Sequence, residues 1–489
     1  MKKARLIIIL GLFLMAVGAR AQLDQFRLSD YKLPEVERRL LDFDINLFGS
    51  NLVNTYREGV PYKQPSQNNF NNTIGLRYNY FQNNAGMQRN HNIGATFRYD
   101  FSNQKQDGNL HNKQSNITPQ IYAELVNRKY NDRNQFFEYN LDSRAYFSKA
   151  ENYFEPDIFG TGMNYQHGTT ILTAAVPLKI GFGRVEPVQD ARQAVYIFEE
   201  LGAIERLSAP GSDEEIIRFA QLISRLQNKR FFDSRLKTIE DLEAIDAFLR
   251  SEGYILQSDA SYFATLADYW AFGNTPVRLS GRRLSLGFIP SVYYRKNTTE
   301  SADNPHADET TISGYSFFTG LDYTCEKPLD HTWQSSFFSH AYFGYSFETR
   351  ESAAPATEVN HRHPTLNMGI SETIGYHPNT RTNATAGLNI QYINFFDTSD
   401  EDNYVLTRSG SGFRVATNIN AVYYFSPQLR LSFFHGMVYQ WYSDDASFDF
   451  EFLPWQAPFN NFPGGLHGFN PFSGHFAQSY GLRLLYSIF

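Results

Sequence analysis

The 489-residue chain is poor in the features that usually settle a protein's class. It has a single cysteine, Cys325, so no intramolecular disulfide framework holds it together. Beyond the first 21 residues no apolar run approaches the roughly 20 residues that a membrane helix needs. The formal net charge of −7 is mild, and no basic tail or cluster interrupts it, so nucleic acid is excluded as a partner. There is no G-x-S-x-G, no H-E-x-x-H, no paired-cysteine site and no phosphate loop. No catalytic residue, metal or cofactor is therefore expected. His361 and His363 in "NHRHP" lack a third ligand nearby and read as solvated loop residues, and the acidic run "DTSDED" (397–402) reads as a solvated loop rather than a calcium site. His340 with Ser336 or Ser339 is the best Ser/His pair on offer, and nothing in the spacing singles it out.

What the chain has is aromatic residues in a two-residue rhythm. With 43 Phe and 31 Tyr its mean hydropathy is still −0.44, because polar residues alternate with the apolar ones. Ile74, Leu76, Tyr78 and Tyr80 share one phase, as do Ile93, Ala95, Phe97, Tyr99 and Phe101. Phe137, Tyr139, Leu141 and Phe147 are opposed by Glu138, Asn140, Asp142 and Arg144. The same rhythm runs through Trp333 to Phe347, Ala384 to Tyr392, Phe413 to Tyr423, Leu429 to Trp441 and Tyr480 to Ile488. Many of these runs exceed the usual strand length of about five or six residues. Glu372 is a misfit in the apolar phase of its strand.

Long strands with one oily and one wet face suit a sheet with lipid outside and water inside. The expected fold is an all-β transmembrane antiparallel β-barrel of about fourteen strands with a small all-α insertion; the alternative is a soluble multi-strand sandwich. Proline-containing tight turns at 325–331, 376–381 and 425–428 alternate with longer polar segments at 350–361, 397–410 and 445–473, as short periplasmic turns and long outer loops do. Strands are expected near 41–56, 71–82, 90–102, 114–130, 134–148, 166–184, 283–297, 312–325, 331–348, 364–377, 381–396, 411–425, 428–443 and 475–489.

Two segments depart from the rhythm. Residues 1–21, with a basic start, an apolar run from Leu6 to Val17 and Ala19-Arg20-Ala21, read as a secretory signal peptide. Residues 187–276 read as a periplasmic helical insertion between an N-terminal barrel part (22–186) and a C-terminal one (277–489). Within it the spacing predicts four helices, the second opened by a capping box of Ser212 and Glu215.

The signal peptide, the strand series and the terminal phenylalanine resemble those of Gram-negative outer-membrane β-barrel proteins, and "GFGRVEPVQDARQAVYIFEEL" with "NKRFFDSR" resembles part of an uncharacterised barrel family. The resemblance implies the cell outer membrane as location and outer-membrane lipid and lipopolysaccharide as surroundings. It also implies a barrel-assembly machinery that reads the last strand. Phe489 falls out of phase with the alternating set that ends at Ile488, which leaves the register of that strand open.

A transport function would be written on the inward face. Arg77, Arg98, Arg414, Arg430 and Arg483 are expected on one wall of the lumen, with Glu124, Glu138 and Asp142 on the strands next along. The loop "FLPWQAPFNNFPGGLHGFNPFSG" carries Trp455, Phe459, Phe462, Phe469 and Phe472 and reads as a constriction or recognition loop. The leading expectation is a porin-like channel or transporter for small polar solutes. The alternatives are a docking barrel whose periplasmic helices bind an envelope partner and, last, an outer-membrane hydrolase.

Overall fold

The computed structural model describes residues 26–52, 66–106, 110–155, 163–209, 211–229, 234–273, 277–301, 304–353, 356–396, 410–426, 429–442 and 475–486. The signal peptide, the acidic run from Asp397 to Asp402 and the aromatic loop with Trp455, Phe459, Phe462, Phe469 and Phe472 lie outside the described residues, as does Phe489.

Strand periodicity becomes one antiparallel sheet. Its members are β1 (Val36–Leu52), β2 (Ser66–Asn84), β3 (Met87–Gln106), β4 (Leu110–Tyr130), β5 (Gln135–Glu155), β6 (Met163–Ala175), β7 (Leu178–Pro187), β8 (Leu279–Ser301), β9 (Asn304–Pro328), β10 (Trp333–Ala353), β11 (Ala356–Tyr376), β12 (Thr382–Phe395), β13 (Gly410–Tyr424), β14 (Leu429–Tyr442) and β15 (His475–Tyr486). Each strand pairs with its sequence neighbour, except that β6 and β7 share one place between β5 and β8. The single strand expected over 166–184 is thus two, and Pro177 is the reason. It has no N–H to give the ladder, yet its carbonyl accepts from Asn140 at 2.9 Å and Val176 donates to the Pro290 carbonyl at 3.0 Å, so pairing resumes across the break. Among the described residues β1 pairs only with β2 and β15 only with β14, so the sheet has two edges where a closed barrel would have none.

The two faces of the sheet differ as the alternation dictates. Phe43, Ile45, Leu76, Phe97, Ile121, Ile180, Phe288, Leu321, Phe343, Ile370, Tyr439 and Leu482 are all exposed on the outer face. Glu372 is half-buried in this face, where Ser335 donates to its carboxylate at 2.8 Å, and the Trp333 and Tyr376 rings meet nearby at 4.5 Å. No helix among the described residues is long and apolar enough to cross a membrane.

Four helices follow β7: α1 (Gln189–Ala203), α2 (Asp213–Asn228), α3 (Ser234–Ser251) and α4 (Ala260–Phe272). The Ser212–Glu215 capping box forms, and Asp259 caps α4 by accepting from the Tyr262 amide at 3.0 Å. Helix α1 is buried on nearly every side, and Phe198 sits edge-on to Phe219 and Tyr254 with centroids 5.5 and 5.1 Å away. The chain preceding β1 completes this core: Phe26, Leu28 and Tyr31 pack into it, and His331 holds the Phe26 carbonyl at 2.7 Å.

The helical unit docks on the end of the sheet that carries the tight turns. Arg278, fully buried, donates to Gln334 (3.1 Å) and to the carbonyls of Asp330 (2.8 Å), Trp333 (2.6 Å) and His331 in the β9–β10 turn. The Tyr196 hydroxyl lies 3.1 Å from the His331 carbonyl and 2.8 Å from that of His377. Arg381 pairs with Asp268, and Phe272 meets Tyr424 edge-on at 5.8 Å.

At the junction with the leading segment, Asp190 is buried and accepts from the Tyr31 hydroxyl at 3.5 Å. Burial pushes its carboxyl up to about 6, against Ser224, Tyr31 and the Arg38 charge, which favour the ionised form. The protonated form is the one the fold prefers, so this contribution is complete below the usual carboxyl range and is lost as pH rises through about 6. Asp190→Asn is expected to be more stable than the wild type at pH 7 by up to about 3 kcal/mol, and the gap is expected to close near pH 4. Chemical unfolding of both proteins, followed by fluorescence across that range, checks it.

Candidate functional site

On the inner face, strands β4 to β12 carry charged and polar side chains out of contact with water. Glu138 on β5 is 3% exposed; it pairs with Arg128 on β4 and accepts from Asn140 at 2.6 Å. Asp322 on β9 accepts from Lys179 on β7 and from the Tyr342 hydroxyl on β10, each at 2.5 Å. Register explains how Lys179 reaches across an intervening strand. It stands opposite Gly287 of β8, where an added Cβ would lie 3.1 Å from the lysine's own Cγ, so the glycine leaves its aliphatic stem a bed. His340 lies in the same way over Gly369 of β11, and its Nε2 is 3.2 Å from the Asn367 Oδ1. Thr365, Asn367 and Gln391 are 0% exposed, and Ile289, Phe318, Tyr342 and Ile393 form an apolar cluster among them.

Below this knot, toward the helical unit, the carboxylates are held by neutral donors. Glu326 accepts from Ser336 at 2.5 Å and Gln334 at 3.2 Å. Arg278 and Arg192 follow; Arg192 donates to the Gly273 carbonyl at 3.0 Å. Both guanidiniums are lowered by burial only to about 10 and stay charged at neutral pH. Burial, then the two arginines, holds His377 down at about 3, so it adds no charge. The Asp330 carboxylate is taken by the Thr332 hydroxyl (2.7 Å) and the Thr332 and Trp333 amides (2.6 and 2.7 Å).

The residues expected to line a lumen fall in different surroundings. Glu138 is in the knot. Glu124 and Asp142 stand directly opposite each other on β4 and β5, and Asn92 donates to Glu124 at 3.4 Å. Arg77 bonds the Tyr122 hydroxyl, and Arg98 is taken up by Asp100 of its own strand at 2.7 Å. Arg414 stands opposite Gln391 and Gln440, Arg430 opposite Tyr424 and Leu485, and Arg483 opposite Ser432. These last three lie on β13 to β15, which no described pairing joins to β1. Lys179, Arg128, Arg283, Asp322 and Tyr342 were not among the expected site residues. Their signal is an inward charge or phenol in phase with inward glycines, as in Lys179, Gly181 and Gly183.

The Ser/His pairing is not assembled: Ser336 bonds Glu326, His340 contacts Asn367, and Ser339 alternates to the opposite face from His340. Among the described residues no group of three or more His, Cys, Asp or Glu is placed to hold a metal ion.

No protein-family model and no curated protein sequence matches the chain. Solved structures with similar strand architecture include the ferric citrate transporter FecA in the unliganded form, at 9% identity and a TM-score of 0.31, over 92% of this chain and 64% of that one. The chain thus spans under two thirds of that transporter's length. A TodX deletion mutant, a monoaromatic hydrocarbon channel, matches at 8% identity and a TM-score of 0.29, over 84% of this chain and 86% of that one. The ferric yersiniabactin uptake receptor FyuA from Yersinia pestis matches at 7% and 0.27, over 84% and 61%. At these scores none of their substrates carries over.

Removing Lys179 would strand the Asp322 carboxylate in a dry site. Lys179→Met is expected to cost about 3–5 kcal/mol, and Lys179→Met with Asp322→Asn to regain most of it. Thermal unfolding of the three proteins in detergent measures both.

Proposed function

We propose that the protein is an outer-membrane β-barrel that admits small polar solutes, with its helical unit as a plug at the periplasmic mouth. The observation that carries this reading is the sorting of the faces. Large apolar side chains are exposed all along the outer face, as a lipid contact requires, while ionised groups are buried on the inner face. A soluble sandwich would expose the second set and bury the first. The plug assignment rests on the docking of the helices at the tight-turn end through Arg278, Tyr196, Asp268 and Phe272. Closure of the wall between β15 and β1 belongs to the same proposal, since an unpaired edge in lipid leaves backbone groups without partners. The outer aromatic loop is assigned the role of constriction.

One observation favours a second reading. The inner face of β8 to β12 is packed dry by its own side chains, as suits a barrel that docks an envelope partner through its helices and conducts nothing.

Conductance of the intact protein in planar bilayers, compared with Asp268→Arg, separates the two. The channel reading expects little or flickering conductance in the wild type and a several-fold rise when Asp268 repels Arg381 and loosens the plug. Silence in both proteins would sink it in favour of the docking barrel.

A further inference from the structure

The inner face is not dry throughout. On β1 to β5, at the end of the strands away from the tight turns, it is reached by water and built largely of side-chain amides. Register sets Ser50, Asn69, Ser102, Gln114 and Asn152 side by side across these five strands. The next row toward the strand ends pairs Gln104 with Asn112, and the next row toward the tight turns sets Asp100 between Asn71 and Asn116. Every one of these residues is half-buried or exposed, in contrast to the dry positions of β8 to β12. Formal charge is nearly absent. Asp100 is the one charged residue of the three rows on these strands, and Arg98 pairs with it at 2.7 Å. The carboxylates of Asp42, Asp44, Glu124 and Asp142 come only in rows nearer the tight turns.

Part of the amide set is spent on itself. Gln67 donates to Asn69 at 2.9 Å and to Ser102 at 3.4 Å, Asn69 donates to Ser50 at 3.4 Å, and Asn116 accepts from Ser148 at 2.9 Å. The rest is not. Asn71, Gln104, Gln114 and Asn152 make no hydrogen bond among the described residues, and the Asn112 Oδ1 is shielded from water without a donor. Each free amide offers two N–H donors and a carbonyl acceptor. Such a surface suits a solute whose groups donate and accept at once and carry no charge, which is the chemistry of hydroxyls on adjoining carbons. An ion would lose hydration here with no opposite charge to replace it, and a hydrocarbon would strip water from amides that it cannot bond. Phe48, in the row of Asn71 and 57% exposed, adds an apolar ring against which the C–H face of a sugar can lie. We propose that the solute admitted by this barrel is a neutral polyhydroxylated molecule, a sugar, and that the amide wall of β1 to β5 binds it. The route rests on the channel reading; the binding chemistry does not.

The test uses the full chain in detergent micelles and in liposomes, as wild type and as the Gln114→Leu/Asn152→Leu variant, with glucose, N-acetylglucosamine and maltotriose as probes. Sugars excluded from a protein surface stabilise any fold, and that effect acts on both proteins alike, so the difference between their shifts reads the site. At least one sugar is expected to raise the unfolding midpoint of the wild type by a few degrees more than that of the variant. Gln114→Asn with Asn152→Gln, which keeps both amides, is expected to retain part of the excess. Equal shifts in the wild type and the Gln114→Leu/Asn152→Leu variant for all three sugars overturn the amide site. In liposomes carrying Asp268→Arg, entry of glucose is expected to outpace that of the gluconate anion, which matches it in size, and to fall several-fold when Gln114→Leu and Asn152→Leu are added. Excess stabilisation without entry would overturn the channel and keep the amide site; entry unchanged by those two substitutions, with equal midpoint shifts, would do the reverse.

Discussion

In the outer-membrane reading proposed above, every strand has to satisfy two media through one backbone, and the two-residue alternation of side chains is the device that does it. A slip of one residue anywhere would send Lys179 or Glu138 to the oily face and Ile180 or Phe137 to the dry interior. The inner glycines follow from the same constraint. Once ionised groups are committed to the inner face without water, they must find partners on neighbouring strands. The long stems that reach those partners need strand positions with no side chain, such as Gly287 beneath Lys179 and Gly369 beneath His340. The interior is therefore held by charge-assisted bonds laid along the wall, with a modest apolar cluster of Ile289, Phe318, Tyr342 and Ile393 between them.

The helical unit obeys different rules. Its core is apolar in the ordinary way, with Phe198, Phe219, Leu249 and Leu266 fully or nearly buried, and α2 and α4 begin on local capping chemistry. What ties it to the sheet is largely polar, guanidinium to carbonyl at Arg278, hydroxyl to carbonyl at Tyr196 and ion pair at Arg381, with the Phe272 ring against Tyr424 beside them. Such a joint is directional and costly to leave half made.

Legibility in the sequence tracked locality. The strands and helices are short-range patterns, and alternation at Ile74 to Tyr80 or a capping box at Ser212 is visible in a dozen letters. The break at Pro177 was missed because the flanking residues keep the alternation in phase, so only the lost N–H marks it. The candidate site was the least legible part. Arg98 and Arg128 look alike in the chain, each inward on a long strand, but Asp100 takes up the first within its own strand, while the second meets a buried Glu138 from the next strand. Glu372 looked like an error of phase and is instead answered by Ser335 across the pair. Which charge is satisfied, and by which partner, depends on register between strands far apart in sequence, and alternation within one strand carries no trace of it.

The leading segment adds a consequence in time rather than in space. Phe26, Leu28 and Tyr31 precede β1 in the chain, yet they are buried against helices spanning residues 189–272, and the Phe26 carbonyl waits for His331. The segment that introduces the edge strand β1 thus has no resting place until more than half of the chain has been delivered. The anchor of the segment before β1 is thus completed late in the sequence, and an assembling chain has to keep that edge attended until it arrives.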